Sequence, residues 1–166
     1  EKEAIQWLVR SAEAGFSLAQ YELGTRFALG RFGTINHEEA FYWFSQGAKN
    51  HHIESAERVG ASFIQALGVE KDVQKGREWL SVSAKHGYPR AMFNLSLSYG
   101  NDEPQDLEEW FYWIDRASSR GYPLACRALA HFYQHGNFEL EINHQRAFEL
   151  LTDASTNAGC PIAQYE

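Results

Sequence analysis

The chain has 166 residues and 44% hydrophobic side chains, enough apolar material for a packed fold and too much for an intrinsically disordered one. Its 22 acidic residues against 15 Lys and Arg give a formal charge of −7, which removes the overall phosphate attraction that nucleic-acid binding relies on. No apolar run approaches the roughly 18 residues of a membrane span, no signal-peptide pattern opens the chain, and Cys126 and Cys160 are too few for a disulfide-stapled fold.

Taken in chain order, the first predicted element is a helix at 2–14 carrying Trp7, with the small residues Ser11 and Ala12 one turn later. A second helix at 18–29 opens with Ala19 and continues through Leu23, Gly24 and Phe27 at helical spacing. The same two patterns then alternate. Helices at 37–50, 73–86, 106–120 and 144–158 repeat the first type, here called helix B, around Trp43, Trp79, Trp113 and Leu150. Helices at 54–66, 89–99, 123–135 and from 161 repeat the second, helix A, through Ser55, Ala91, Ala125 and Ala163. The tryptophans are 34 to 36 residues apart and Leu150 follows Trp113 by 37, and a fixed period of that size marks a repeat array whose units bury their apolar faces by stacking.

Local signals fix the boundaries. Asn36, Asp72, Asp106 and Asn143 stand where helix B begins and can accept hydrogen bonds from its free N–H groups. Helix B ends at glycine and the next helix A starts with proline in Gly87-Tyr88-Pro89, Gly121-Tyr122-Pro123 and Gly159-Cys160-Pro161. The paired carboxylates Glu38-Glu39, Asp102-Glu103 and Glu108-Glu109 fall in loops or at helix B starts, where they complement the helix dipole. The tryptophans, each followed by small residues a turn later, are expected in the buried core. The chain starts inside a helix and stops just after another should begin, so both ends should expose apolar surface and favour end-to-end self-association.

Many positions therefore recur in step, and together they resemble the Sel1-like repeats, α/α relatives of the tetratricopeptide repeat. The second unit carries the resemblance best, in Ser55, Val59-Gly60, Phe63, Leu67-Gly68-Val69-Glu70-Lys71-Asp72, Lys75-Gly76, Trp79, Ser83-Ala84 and Gly87. It departs in the third unit, which is two loop residues short around 100–105 and has Trp110 where the family prefers alanine. The fourth unit has a longer loop at 136–143 and Leu150 in place of tryptophan. The resemblance implies an all-α, right-handed superhelical solenoid of about four to five antiparallel helix pairs, a single domain over 1–166 with units at about 18–52, 54–88, 89–122 and 123–160 and partial units at both ends. It also implies an adaptor that holds a protein or peptide on a concave face, or, as in bacterial members, a host-interaction factor or a toxin-neutralising immunity protein; a bacterial source is expected.

In such superhelices helix A lines the concave face. Helical spacing then selects Tyr21, Thr25, Glu57, Arg58, Ala61, Arg90, Phe93, Asn94, Leu97, Arg127, His131 and Gln134 as the candidate partner-binding set. Tyr and Arg are frequent at binding hot spots, although the aromatics could equally pack between repeats. His131 and His135, four apart on one helix, have a spacing used by metal sites and give the alternative of a metal- or ligand-binding, enzyme-like protein, without an evident third ligand. His51 and His52 are expected at the surface. No nucleophile elbow, Cys-His neighbour or phosphate-cradling glycine pattern is present, so no catalytic residue, cofactor or resident metal is expected, and the protein is read as a non-enzyme.

Overall fold

The computed structural model describes residues 2–101, 106–136 and 141–157. The expected turn at Gly159-Cys160-Pro161, the helix from 161 and the pair Asp102-Glu103 lie outside the described residues. The described residues form nine helices and no strand: α1 (Lys2–Glu13), α2 (Ser17–Ala28), α3 (His37–Lys49), α4 (Ile53–Gln65), α5 (Val73–Lys85), α6 (Pro89–Gly100), α7 (Leu107–Ser118), α8 (Pro123–His135) and α9 (His144–Asn157). Odd-numbered helices are type B and even-numbered ones type A. The chain divides into two compact units, Glu1–Tyr88 with α1 to α5 and Pro89–Glu166 with α6 to α9.

Within each unit a helix A packs most extensively on the helix B that follows it, in the pairs α2/α3, α4/α5, α6/α7 and α8/α9. Small residues permit the approach. A Cβ on Gly24 would lie 2.8 Å from the Phe44 ring, and one on Gly60 would lie 2.8 Å from the Gly76 carbonyl oxygen. Core side chains interdigitate around these contacts, with Ala40, Phe44, Ala48, Ala56 and Val59 forming one cluster in the first unit.

The tryptophans are not the centre of that core. Of the recurring series, Trp7 is 65% exposed, Trp43 and Trp79 are half-buried and Trp113 is buried, while Trp110, outside the series, is buried as well. In three repeats the position one residue later is the more deeply buried, with Phe44 buried and Leu80 and Ile114 0% exposed; in the last, Leu150 in the tryptophan slot is itself buried and Leu151 is 39% exposed. The tryptophan sits at the edge of the apolar stripe, about 100° of helical turn from its centre, so its large ring covers the core instead of filling it. Trp113 also needs a polar partner and donates from Nε1 to the Glu109 carboxylate at 2.8 Å.

Among the described residues, each of the four junctions from a helix A to the following helix B is closed by the same backbone clasp. The N–H groups of Asn36, Asp72, Asp106 and Asn143 donate to the carbonyls of Phe27, Phe63, Tyr99 and Tyr133 at 2.8–3.3 Å. Their side chains then cap the following helix, accepting from Glu39, Lys75, Glu109 and Arg146 N–H groups at 2.9–3.1 Å. One residue thus ends the loop and starts the helix.

At the other end of helix B the chain turns through a left-handed residue. Gly15, Gly87 and Gly121 occupy it at φ 93°, 88° and 72°, while the third helix uses His51 at φ 62°. The hydrogen bonds are of one kind: His51 N–H to Ala48 carbonyl and His52 N–H to Gly47 carbonyl, both 3.0 Å, match Gly121 to Ser118 and Tyr122 to Ala117. A side chain in this conformation costs about 1–2 kcal/mol, and the extra freedom of an unfolded glycine returns about 0.5–1 kcal/mol. His51→Gly is therefore expected to stabilise the protein by roughly 0.5–1 kcal/mol, read as a higher urea midpoint; a lower midpoint would show that His51 makes a contact worth more than the strain.

Candidate protein-binding face

The helix A residues selected from the sequence fall in two groups, one in each unit. In the first unit, Tyr21 of α2 is half-buried, with its ring 5.8 Å from that of Phe44 and 5.1 Å from that of His52. Its hydroxyl is among the groups that favour the charge of Arg58 on α4. Thr25 is half-buried and donates to the Tyr21 carbonyl at 2.9 Å, which satisfies its hydroxyl internally. Arg58 lies 3.8 Å from the Glu57 carboxylate and keeps 29% of its side chain exposed. Burial works against the Arg58 charge, but Glu57, Tyr21 and Tyr88 outweigh it and raise its pKa above the ordinary arginine value. The guanidinium is therefore a permanent cation on this face.

Glu57 is a correction. Placed among the exposed contact residues by spacing, it is 1% exposed and stands behind Arg58 as its counter-charge. Spacing fixed its angle on α4 but not the depth of the neighbours around it. Ala61 is half-buried on the same helix.

In the second unit, Phe93 of α6 is half-buried with its ring 5.4 Å from Tyr122, while Leu97 is 41% exposed. Arg90 and Asn94 are half-buried, and Arg127, His131 and Gln134 of α8 are exposed. The rings of His131 and His135 stack with centroids 4.3 Å apart and 29° between planes, and His135 Nδ1 is engaged with the His131 carbonyl at 2.8 Å. Among the described residues no three His, Cys, Asp or Glu side chains come together as a metal set.

Sequence reasoning missed the turn residues. His52, expected at the surface, is half-buried, and its Nδ1 accepts from the Ser55 N–H at 3.3 Å and so caps α4. His52 and Tyr122 precede a helix A and pack at a tilt against Tyr21 and Phe93, so the same contact recurs in both units. The signal was available in the sequence, because Phe16, His52, Tyr88 and Tyr122 put an aromatic ring in one slot. Cys126 is fully buried, and its thiol donates weakly to the Ser118 carbonyl at 3.5 Å. Burial raises its pKa, with Asp153 adding to the effect. Cys160 lies outside the described residues.

A pH dependence follows from the cap. Burial lowers the His52 pKa below the ordinary 6.5, against an opposing pull from Glu54. The unfolded chain then takes up the proton first, so the contribution is complete above about 6.5 and is lost as pH falls through the lower folded value. Protonated Nδ1 can no longer accept, and its charge meets the positive end of α4. Urea midpoints are expected to drop more between neutral pH and pH 5 for the wild type than for His52→Asn, which keeps a capping acceptor without the titration; equal drops would remove His52 from the account.

Comparison with known proteins agrees with this architecture. The Sel1 repeat pattern matches residues 1–16, 17–52, 53–88, 89–122 and 123–157. The chitin synthase regulator SKT5 of Saccharomyces cerevisiae is 34% identical over 98% of this chain and 25% of its own length. Protein SHC1 of the same yeast is 33% identical over 92% of this chain and 35% of its own length. Chitin synthase regulatory factor 2 of Schizosaccharomyces pombe is 26% identical over 89% of this chain and 31% of its own length. The chain thus spans a quarter to about a third of these relatives, and as yeast proteins they give the expected bacterial source no support. Among solved structures, a Sel1 repeat protein from Oxalobacter formigenes superposes with TM-score 0.81 at 24% identity, covering 92% of this chain and 61% of the other. The uropathogenic Escherichia coli antigen c5321, of 20% identity, does so at 0.78, covering 92% of this chain and 33% of its own. None of the described helices is long and apolar enough to cross a membrane. With its repeats matched one after another along almost the whole length, the chain belongs to the Sel1 repeat family.

Proposed function

We propose that this chain is a protein-binding module of a chitin synthase regulator and that it holds its partner on the helix A faces. The observation that carries the proposal is the 34% identity to the SKT5 regulator across 98% of the chain, which takes in all of its repeats. The geometry supports it: constant small residues and clasps set the framework, while Tyr21, Arg58, Phe93, Leu97, Arg127 and His131 vary from repeat to repeat on the helices above it. Tyrosine and arginine already held in place by neighbours lose little freedom on binding, which is what a contact surface requires. No observation favours the toxin-neutralising alternative or an enzyme-like role for His131 and His135.

A chimera tests the proposal. SKT5 whose matching segment is replaced by this chain should restore cell-wall chitin to a yeast strain lacking SKT5, and should associate with a chitin synthase in pull-downs. The same chimera carrying Leu97→Asp and Arg127→Glu, both at exposed positions, should accumulate normally and lose both properties. A well-expressed, folded chimera that leaves chitin at the deletion level would sink the proposal.

A further inference from the structure

The charge of the chain is not evenly spread. In a protein with 22 Asp and Glu, neither α6 nor α8 contains one, although both carry cations or imidazoles: Arg90 in α6 and Arg127, His131 and His135 in α8. The carboxylates of the second unit's described helices are confined to type B, as Glu108, Glu109 and Asp115 in α7 and Glu149 and Asp153 in α9. Glu109 accepts from Trp113, and Glu149 pairs with Arg146 at 3.2 Å. The first unit is different, since its helix A cations are matched locally: Arg26 pairs with Glu22 at 3.0 Å and Arg58 faces Glu57. Arg127 is exposed and makes no ion pair among the described residues. On α6 of the same unit, Leu97 is exposed and Phe93 packs at a tilt against Tyr122.

From this charge segregation we propose that the helix A face of the second unit, α6 and α8, captures an acidic peptide segment bearing an apolar anchor residue. This rests on the reading of helix A as the partner face and adds the chemistry of the partner. Arg127 and the two histidines meet the carboxylates, and Leu97 with the Phe93–Tyr122 pair receives the anchor. A short segment fits better than a long polyanion. Nucleic acid or an anionic membrane would extend past the strip onto a chain of net charge −7 and be repelled there, whereas a peptide can remain inside it.

The experiment is fluorescence anisotropy on the whole chain with a short labelled peptide of Asp, Glu and Gly around a single Leu. Binding is expected at low salt, weakening as salt rises. Arg127→Glu with His131→Glu should weaken it by about tenfold or more, and changing the peptide's Leu to Ser should weaken it further. Arg116→Glu, an exposed reversal on the carboxylate-bearing α7, should leave it unchanged. Circular dichroism melts of each variant separate binding from folding. Equal binding of a peptide with Lys in place of the acids, indifference to the α8 reversals, or tighter binding of oligo-dT or phosphatidylserine vesicles would each overturn the proposal. If the SKT5 chimera restores chitin while the acidic peptide fails to bind, the acidic-peptide inference falls and the protein-binding module stands.

Discussion

Replacing Gly60 with valine is expected to cost the first unit about 3 kcal/mol, the upper end of what overpacking usually does, and to lower the urea midpoint accordingly. At this crossing α4 and α5 meet backbone to backbone. A Cβ at Gly60 would lie 2.8 Å from the Gly76 carbonyl oxygen and 2.9 Å from the Leu80 nitrogen, and one at Gly76 would lie 2.9 Å from the Gly60 carbonyl oxygen. Backbone atoms cannot swing aside as side-chain ends can, so relief requires the two helices to part, which uncovers Val59 and Leu80. Gln65→Val, at an exposed position of the same helix, carries only the β-branched helix penalty of a few tenths of a kcal/mol. Equal effects of the two substitutions would show that the crossing is looser than the glycines imply.

The second large effect contrasts two neighbouring positions of helix B. Leu80→Ala removes a side chain that is 0% exposed and should cost about 2–5 kcal/mol through lost burial and the cavity left behind. Trp7→Ala, in the recurring tryptophan series, should cost below about 1 kcal/mol because that ring is 65% exposed. Denaturation midpoints with slopes checked for constancy decide it, and a Trp7 variant more damaging than Leu80→Ala would overturn the placement of the core.

These contrasts show what was legible in the amino-acid order. The caps at Asn36, Asp72, Asp106 and Asn143 and the glycine turns at Gly87 and Gly121 are local matters of one or two residues, and each appears where its chemistry puts it. Burial is a matter between segments. Helical spacing gives the angle at which Trp7 or Glu57 leaves its helix, but whether another helix lies over that angle depends on packing that no single repeat encodes. Glu57 was thus assigned to the surface and is found beneath it, while Trp7 was assigned to the core and is found outside it. His52 failed for a third reason. A histidine in a turn looks solvated until its ring nitrogen is seen to replace the Asn or Asp oxygen of an ordinary cap. On the candidate face, the positions were legible but the partnerships of Tyr21 with Arg58 and of Phe93 with Tyr122 were not, since each joins residues some thirty apart or more.

The backbone clasp from each cap residue to the aromatic of the preceding helix A has a consequence for engineering. It pins the two ends of the connecting loop together, Tyr99 to Asp106 and Tyr133 to Asn143, whatever the number of residues between them. The chain already varies that length, with two residues fewer in one repeat and extra ones in another. Each doubling of an open loop costs only about 0.6 kcal/mol in closure entropy. A fluorescent reporter or an affinity tag spliced in between the clasped residues is expected to leave the urea midpoint nearly unchanged, turning a structural fastening into an insertion port.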